Sequence, residues 1–161
     1  MSPKRAAVMV ASVGLFWQVL VHPALAQSDP LGSLVKGTGL TYLEYQGIYV
    51  FSFKPDEASG VDRWMVRVAY NSDKKSWICI SCTMIDKEDN YKFPEAVKER
   101  LLRYNSQVPG SKFSIDQANG DIDVEWELPT QFATSELLAY MIRDVAATCD
   151  GQHDTIANML K

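Results

Sequence analysis

Two cysteines three positions apart, Cys79 and Cys82 within SWICISCTMI (residues 76–85), are the residues of this chain whose type and spacing most invite chemistry. A CxxC pair can serve as a dithiol redox centre or as half of a zinc site. The redox use needs a thiol at a helix N-terminus, where the dipole lowers its pKa. The residues around this pair are instead aromatic and β-branched, and they run as a strand runs. On a strand, side chains three apart point to opposite faces with Cα atoms about 10 Å apart, too far for a mutual disulfide. Zinc needs four ligands, and beyond the N-terminal segment the chain offers three cysteines and His153, with no second CxxC and no HxxxH. Cys79 and Cys82 therefore read as strand cysteines. A thiol-active protein using Cys79, Cys82 or Cys149 stays open as the alternative.

Other catalytic constellations are as thin. A Ser-His-Asp triad would have to use His153, which lies in the polar stretch CDGQHDT beyond the expected end of the last long helix and reads as solvent-exposed, with no GxSxG turn elsewhere. The carboxylates of DIDVEWE alternate on one strand face, which is how a solvated sheet surface looks rather than a glycosidase pair. VKGTGLT contains GxG without the further glycine or the lysine and hydroxyl residue of a phosphate cradle, and reads as a helix stop and turn. No catalytic residue, cofactor site or metal site is assigned, and the chain reads as a non-enzyme.

The N-terminus bears on compartment. Lys4 and Arg5 precede the apolar run AAVMVASVGLFWQVLV, and ALA at 24–26 fits a small-x-small cleavage site, so residues 1–26 read as a signal peptide. Gln18 and the short run argue against a retained span of about 20 residues. Cleavage leaves 27–161 as a single domain, periplasmic or secreted, with no membrane attachment after processing. The formal net charge of −4 becomes about −6 once the two basic residues leave, which argues against nucleic acid or an anionic membrane surface as partner.

Periodicity supplies the elements that position these residues. A short helix is expected near 30–37. IYVFSF (48–53), RWMVRVAY (63–70) and SWICISCTMI (76–85) read as strands, the last two joined as a hairpin through NSDKK. A helix follows in FPEAVKERLLRYNSQ, with Pro94 suited to its first position. KFSID and DIDVEWELP form a second hairpin, in which Ile122, Val124, Trp126 and Leu128 share the buried side while Asp121, Asp123, Glu125 and Glu127 face water. TSELLAYMIRDVAATC places Leu138, Met141, Ile142, Val145 and Cys149 on one helical stripe, with Thr134 as N-cap. The order is α-βββ-α-ββ-α, an α+β domain with an antiparallel sheet of about five strands and helices on one face.

From VRVAY through LLRYNSQ and FSIDQANGDIDVEWELP to CDGQHDTI, the chain resembles the YbjN family, whose fold is similar to that of type III secretion chaperones. The resemblance implies a regulatory or polypeptide-binding role without catalysis, a protein partner, and a homodimer by analogy. It departs from the secretion chaperones in its signal peptide, since those act in the cytoplasm.

Two expectations concern surface and core. Trp77, Cys79 and Thr83 point away from the side shared by Ile78, Ile80, Cys82 and Met84, which makes the far face more apolar than a solvated sheet needs. That face is either an interaction surface or is covered by the N-terminal segment. Cys82 and Cys149 both point into the helix-to-sheet core and are the pair expected to bond in an oxidising compartment, leaving Cys79 as the odd thiol.

Overall fold

The structure is a computed structural model that describes residues 29–71, 75–116 and 118–161; the expected signal peptide lies outside them. Among the described residues the chain is α+β. Helix α1 (Pro30–Gly37) is followed by strands β1 (Tyr42–Tyr45), β2 (Ile48–Phe53), β3 (Trp64–Tyr70) and β4 (Trp77–Asp86). Then come α2 (Glu95–Gln107), β5 (Lys112–Asp116), β6 (Asp121–Pro129), a 3₁₀ turn at Thr130–Phe132 and α3 (Ser135–Met159). The six strands form one antiparallel sheet in the order β1-β2-β3-β4-β6-β5.

Sequence patterning counts five strands, and the sixth is β1. Its four residues, YLEY, leave only Tyr42 half-buried, so the alternation is too short to stand out. It exists because Gln46 and Gly47 adopt positive φ (52° and 78°), the two-residue turn that matches strand twist and folds β1 onto β2.

All three helices lie toward the same face. Helix α3 crosses β4, β3 and β6, and α1 packs beside it. The core between them is built from Phe51, Val66, Val68, Ile78, Ile80, Ile122 and Val124 of the sheet with Leu138, Ile142 and Val145 of α3, all essentially solvent-free. A bulge in β4 between Thr83 and Ile85 sends both Met84 and Ile85 inward.

Helix α3 also corrects the sequence reading of its end. It continues through Gly151 and the polar CDGQHDT to Met159, so His153 is on the helix rather than beyond it. The His153 side chain is largely covered, edge-on to Trp64 at 5.6 Å between ring centroids and hydrogen-bonded through Nδ1 to Asp154 at 2.7 Å. What holds this extension is distant in sequence. Asp150 accepts the backbone N–H groups of Asp56, Glu57 and Ala58 and the indole N–H of Trp64, at 2.9–3.1 Å. Asp154 accepts the N–H and hydroxyl of Ser59. The β2–β3 connection is thus clamped onto the last turns of α3. None of the described helices is long and apolar enough to cross a membrane.

Candidate functional site

With the helices on one side, the other face of the sheet is uncovered among the described residues. The described part of the N-terminal segment does not cover it: Leu31 and Val35 of α1 are fully buried on the helical side. Register determines what this open face presents. One row crosses all six strands as Leu43, Val50, Arg67, Ser81, Glu125 and Lys112. It is apolar at the β1 edge and charged at the β5 edge; in the neighbouring rows the acidic residues, Asp123 and Glu127, lie on β6, and Tyr45 and Ile48 make one of them apolar at the β1 edge.

The apolar corner is formed by Leu43, Tyr45 and Ile48, which are 73%, 69% and 39% exposed, while Met65, 45% exposed, lies further along the same face, opposite Ser52. Three large apolar side chains so exposed on two paired strands, Tyr45 opposite Ile48 and Leu43 one row away, form a cluster unlike the single exposed apolar residues normal on a surface. Leu102, Phe132, Tyr140 and Met159, the large exposed apolar residues toward the helical side, are spread over α2, the 3₁₀ turn and two distant positions of α3. Beside the apolar corner lies a shallow hollow of about 440 Å³, bordered by Val50, Val61, Arg63, Met65, Arg67 and Thr83.

The opposite corner is acidic, with Asp123, Glu125 and Glu127 side by side on β6. Part of this charge is already engaged. Thr83 accepts from Arg67 at 3.0 Å and donates to Asp123 at 2.7 Å, and Asn71 donates to Glu127 at 2.7 Å. Acidic groups still outnumber the two cations, Arg67 and Lys112, that share these rows.

Trp77, Cys79 and Thr83 all lie on the open face but differ in what they can do. Trp77 is 43% exposed at the start of β4, opposite Pro129. Thr83 is held between Arg67 and Asp123 and is the least free to meet a partner. Cys79 is half-buried, and its thiol is pushed up to about 11 by burial and by the carboxylates of Glu125 and Glu127. It is protonated at neutral pH, a poor state for a nucleophile. Leu43 and Tyr45, two of the three residues of the apolar corner, escape sequence reasoning because β1 does. Ile48 and Met65 carried a signal, in that both alternate with core residues of recognised strands.

Cys82 and Cys149 face the other way and meet beneath α3, where the Cys149 Sγ lies 4.0 Å from the carbonyl oxygen of Cys82. No group of three or more His, Cys, Asp or Glu side chains is placed to hold a metal among the described residues.

No family model and no curated protein matches the chain. Solved structures do match its fold. A chain of the HopA1-SchA chaperone-effector complex superposes with a TM-score of 0.53 at 8% identity, over 78% of this chain and 94% of that one. A chain of the ExsC-ExsE complex gives 0.51 at 13% identity, over 79% and 90%. The fold is therefore shared with chains of complexes of this kind, at identities that speak to architecture alone.

Proposed function

We propose that this chain is an exported, non-enzymatic protein-binding or regulatory module of YbjN type, which docks a polypeptide on the open face of its sheet. The observation that carries the reading is the gradient across that face. Leu43, Tyr45 and Ile48 gather at the β1 edge, Met65 lies on β3 of the same half of the face, and Asp123, Glu125 and Glu127 lie toward the other edge. Such a face fits a partner segment that joins aliphatic or aromatic residues to Lys or Arg. Apolar burial then supplies affinity, and the acidic corner sets orientation and encounter rate. The fold shared with a chain of a chaperone-effector complex supports a polypeptide as the occupant. A homodimer through the apolar corner alone is compatible with this use of the face, whereas full overlap of two copies risks setting acidic corners against one another.

Export rests on Lys4, Arg5, the apolar run and ALA at 24–26. An intact mass corresponding to 27–161 in the soluble periplasmic or secreted fraction supports it, and retention of residues 1–26 overturns it. Docking is tested by capture from that fraction with the wild-type chain, with Ile48→Glu/Met65→Glu, and with Leu102→Glu on α2 as control. Proteins retained by wild type and control but lost by the face variant support the reading; retention unaffected by the face variant contradicts it.

A further inference from the structure

Cys82 on β4 and Cys149 on α3 are 1% and 0% exposed and stand 67 positions apart in the chain. Besides the 4.0 Å approach of the Cys149 Sγ to the Cys82 carbonyl, each thiol is the largest influence on the other's ionisation. Contact with Cys82, then burial, pushes the Cys149 thiol up. The third cysteine cannot compete for either. Cys79 lies on the same strand as Cys82 but on the open face, beside Glu125 and Glu127, with the thickness of the sheet between it and α3.

We propose that Cys82 and Cys149 form a disulfide that ties α3 to the centre of the sheet from beneath the open face. The inference rests on the export reading for its oxidising compartment. The oxidant is an external disulfide, of low molecular weight or on a thiol oxidoreductase. The Cys82 thiolate attacks one of its sulfurs and releases a thiolate, leaving a mixed disulfide at Cys82. Cys149, having given its proton to the released thiolate, attacks the Cys82 sulfur and expels the second thiolate, which takes up the proton lost from Cys82. Two protein thiols are oxidised and one external disulfide is reduced to two thiols. Because neither sulfur is reachable in the folded chain, the exchange takes place before α3 closes on β4.

The experiment uses the purified protein, unfolded with reductant and refolded in a glutathione and glutathione disulfide buffer. It is then alkylated in denaturant and mapped without reduction. The expected product is lighter by two hydrogens, yields a Cys82–Cys149 peptide and carries alkyl label on Cys79 alone. Its Tm exceeds that of the reduced protein by on the order of 10 °C, since a loop of this length is closed in the unfolded chain. Cys79→Ser keeps the bridge and the shift, whereas Cys149→Ala loses both. Three labelled thiols in protein that has regained its native circular dichroism, or a Cys79–Cys149 linkage, overturns the proposal. The buffer replaces the compartment, so failure here leaves export and docking to be judged by their own measurements.

Discussion

The indole N–H of Trp126 on β6 donates to the carboxylate of Asp144 on α3 at 2.7 Å, and the same Oδ2 accepts the backbone N–H of Ser111 at 2.9 Å. Six residues further along α3, Asp150 takes the indole N–H of Trp64 on β3 at 3.1 Å. The long helix is thus fastened on either side of β4 by a tryptophan donating to an aspartate, with the apolar stripe between. Trp126 is half-buried, so its worth combines packing with this hydrogen bond.

Trp126→Ala is expected to cost about 3 kcal/mol and Trp126→Phe about 1–2 kcal/mol, the latter leaving Asp144 without its indole donor. Asp123→Ala, on the open face, is expected to cost under about 1 kcal/mol, for the loss of its bond from Thr83. Urea denaturation provides the comparison, and equal midpoints for Trp126→Ala and Asp123→Ala would mean that the two faces of β6 are reversed.

The clamp on the β2–β3 connection has a pH signature. Burial works to raise the Asp150 pKa, but the Asp56 N–H, the Trp64 indole and the N–H groups of Ala58 and Glu57 bring it below its ordinary 3.8. Asp154 is held at about 2 by the Ser59 hydroxyl, His153 and the Ser59 N–H. Depressed carboxylate pKa values contribute stability that is complete above the ordinary value and is lost as pH falls through the folded one. Stability should therefore drop between about pH 4 and 2, with Trp64 fluorescence reporting the release. Asp150→Asn/Asp154→Asn should flatten that slope; an unchanged slope in the double variant refutes the clamp.

The two edges of the sheet differ in protection. Asn105 of α2 donates its amide to the Phe113 carbonyl at 2.9 Å and accepts the Phe113 N–H at 2.8 Å, so one side chain occupies both outward backbone groups of Phe113 on the β5 edge. Asn105→Ala should cost about 1–3 kcal/mol and promote concentration-dependent association through the exposed edge. Sedimentation velocity at several concentrations checks this, with Ser106→Ala as neighbour control. Identical behaviour of the two variants would exclude the protective role.

Gly120 and Gly47 both have positive φ, 75° and 78°. A methyl at Gly47 meets nothing, whereas at Gly120 it collides with the backbone of Lys87 and Glu88. Gly47→Ala should cost about 1 kcal/mol and Gly120→Ala about 2–4 kcal/mol, the excess being steric. Equal losses in thermal melts would show that conformation alone matters at both turns.

Much of this architecture is legible in the chain. Pro30–Gly37, the β3–β4 hairpin, the alternation of β6 and the stripe from Leu138 to Cys149 follow local periodicity, which burial of one face enforces. The rest depends on partners remote in sequence. The residues from Asp150 onward read as a stop until Asp56, Glu57, Ala58 and Ser59 are seen bound to that segment. Leu43 and Tyr45 are invisible as site residues because YLEY acquires strand character only by pairing with β2. Trp77, Cys79 and Thr83 could be placed on the correct face from β4 alone, but not the gradient across it, which depends on the order of all six strands.

Hydroxyl-radical footprinting tests the central claim most directly, because oxidisable side chains stand exposed on both sides of the molecule. Met65 and Trp77 are on the open face, and Tyr140 and Met159 are on α3. Rates measured for the isolated chain are compared with those for the chain bound to proteins captured from its own compartment. Docking on the sheet predicts that binding slows oxidation of Met65 and Trp77 several-fold while Tyr140 and Met159 keep their rates. Protection of Tyr140 and Met159, with Met65 and Trp77 as reactive as before, would contradict it.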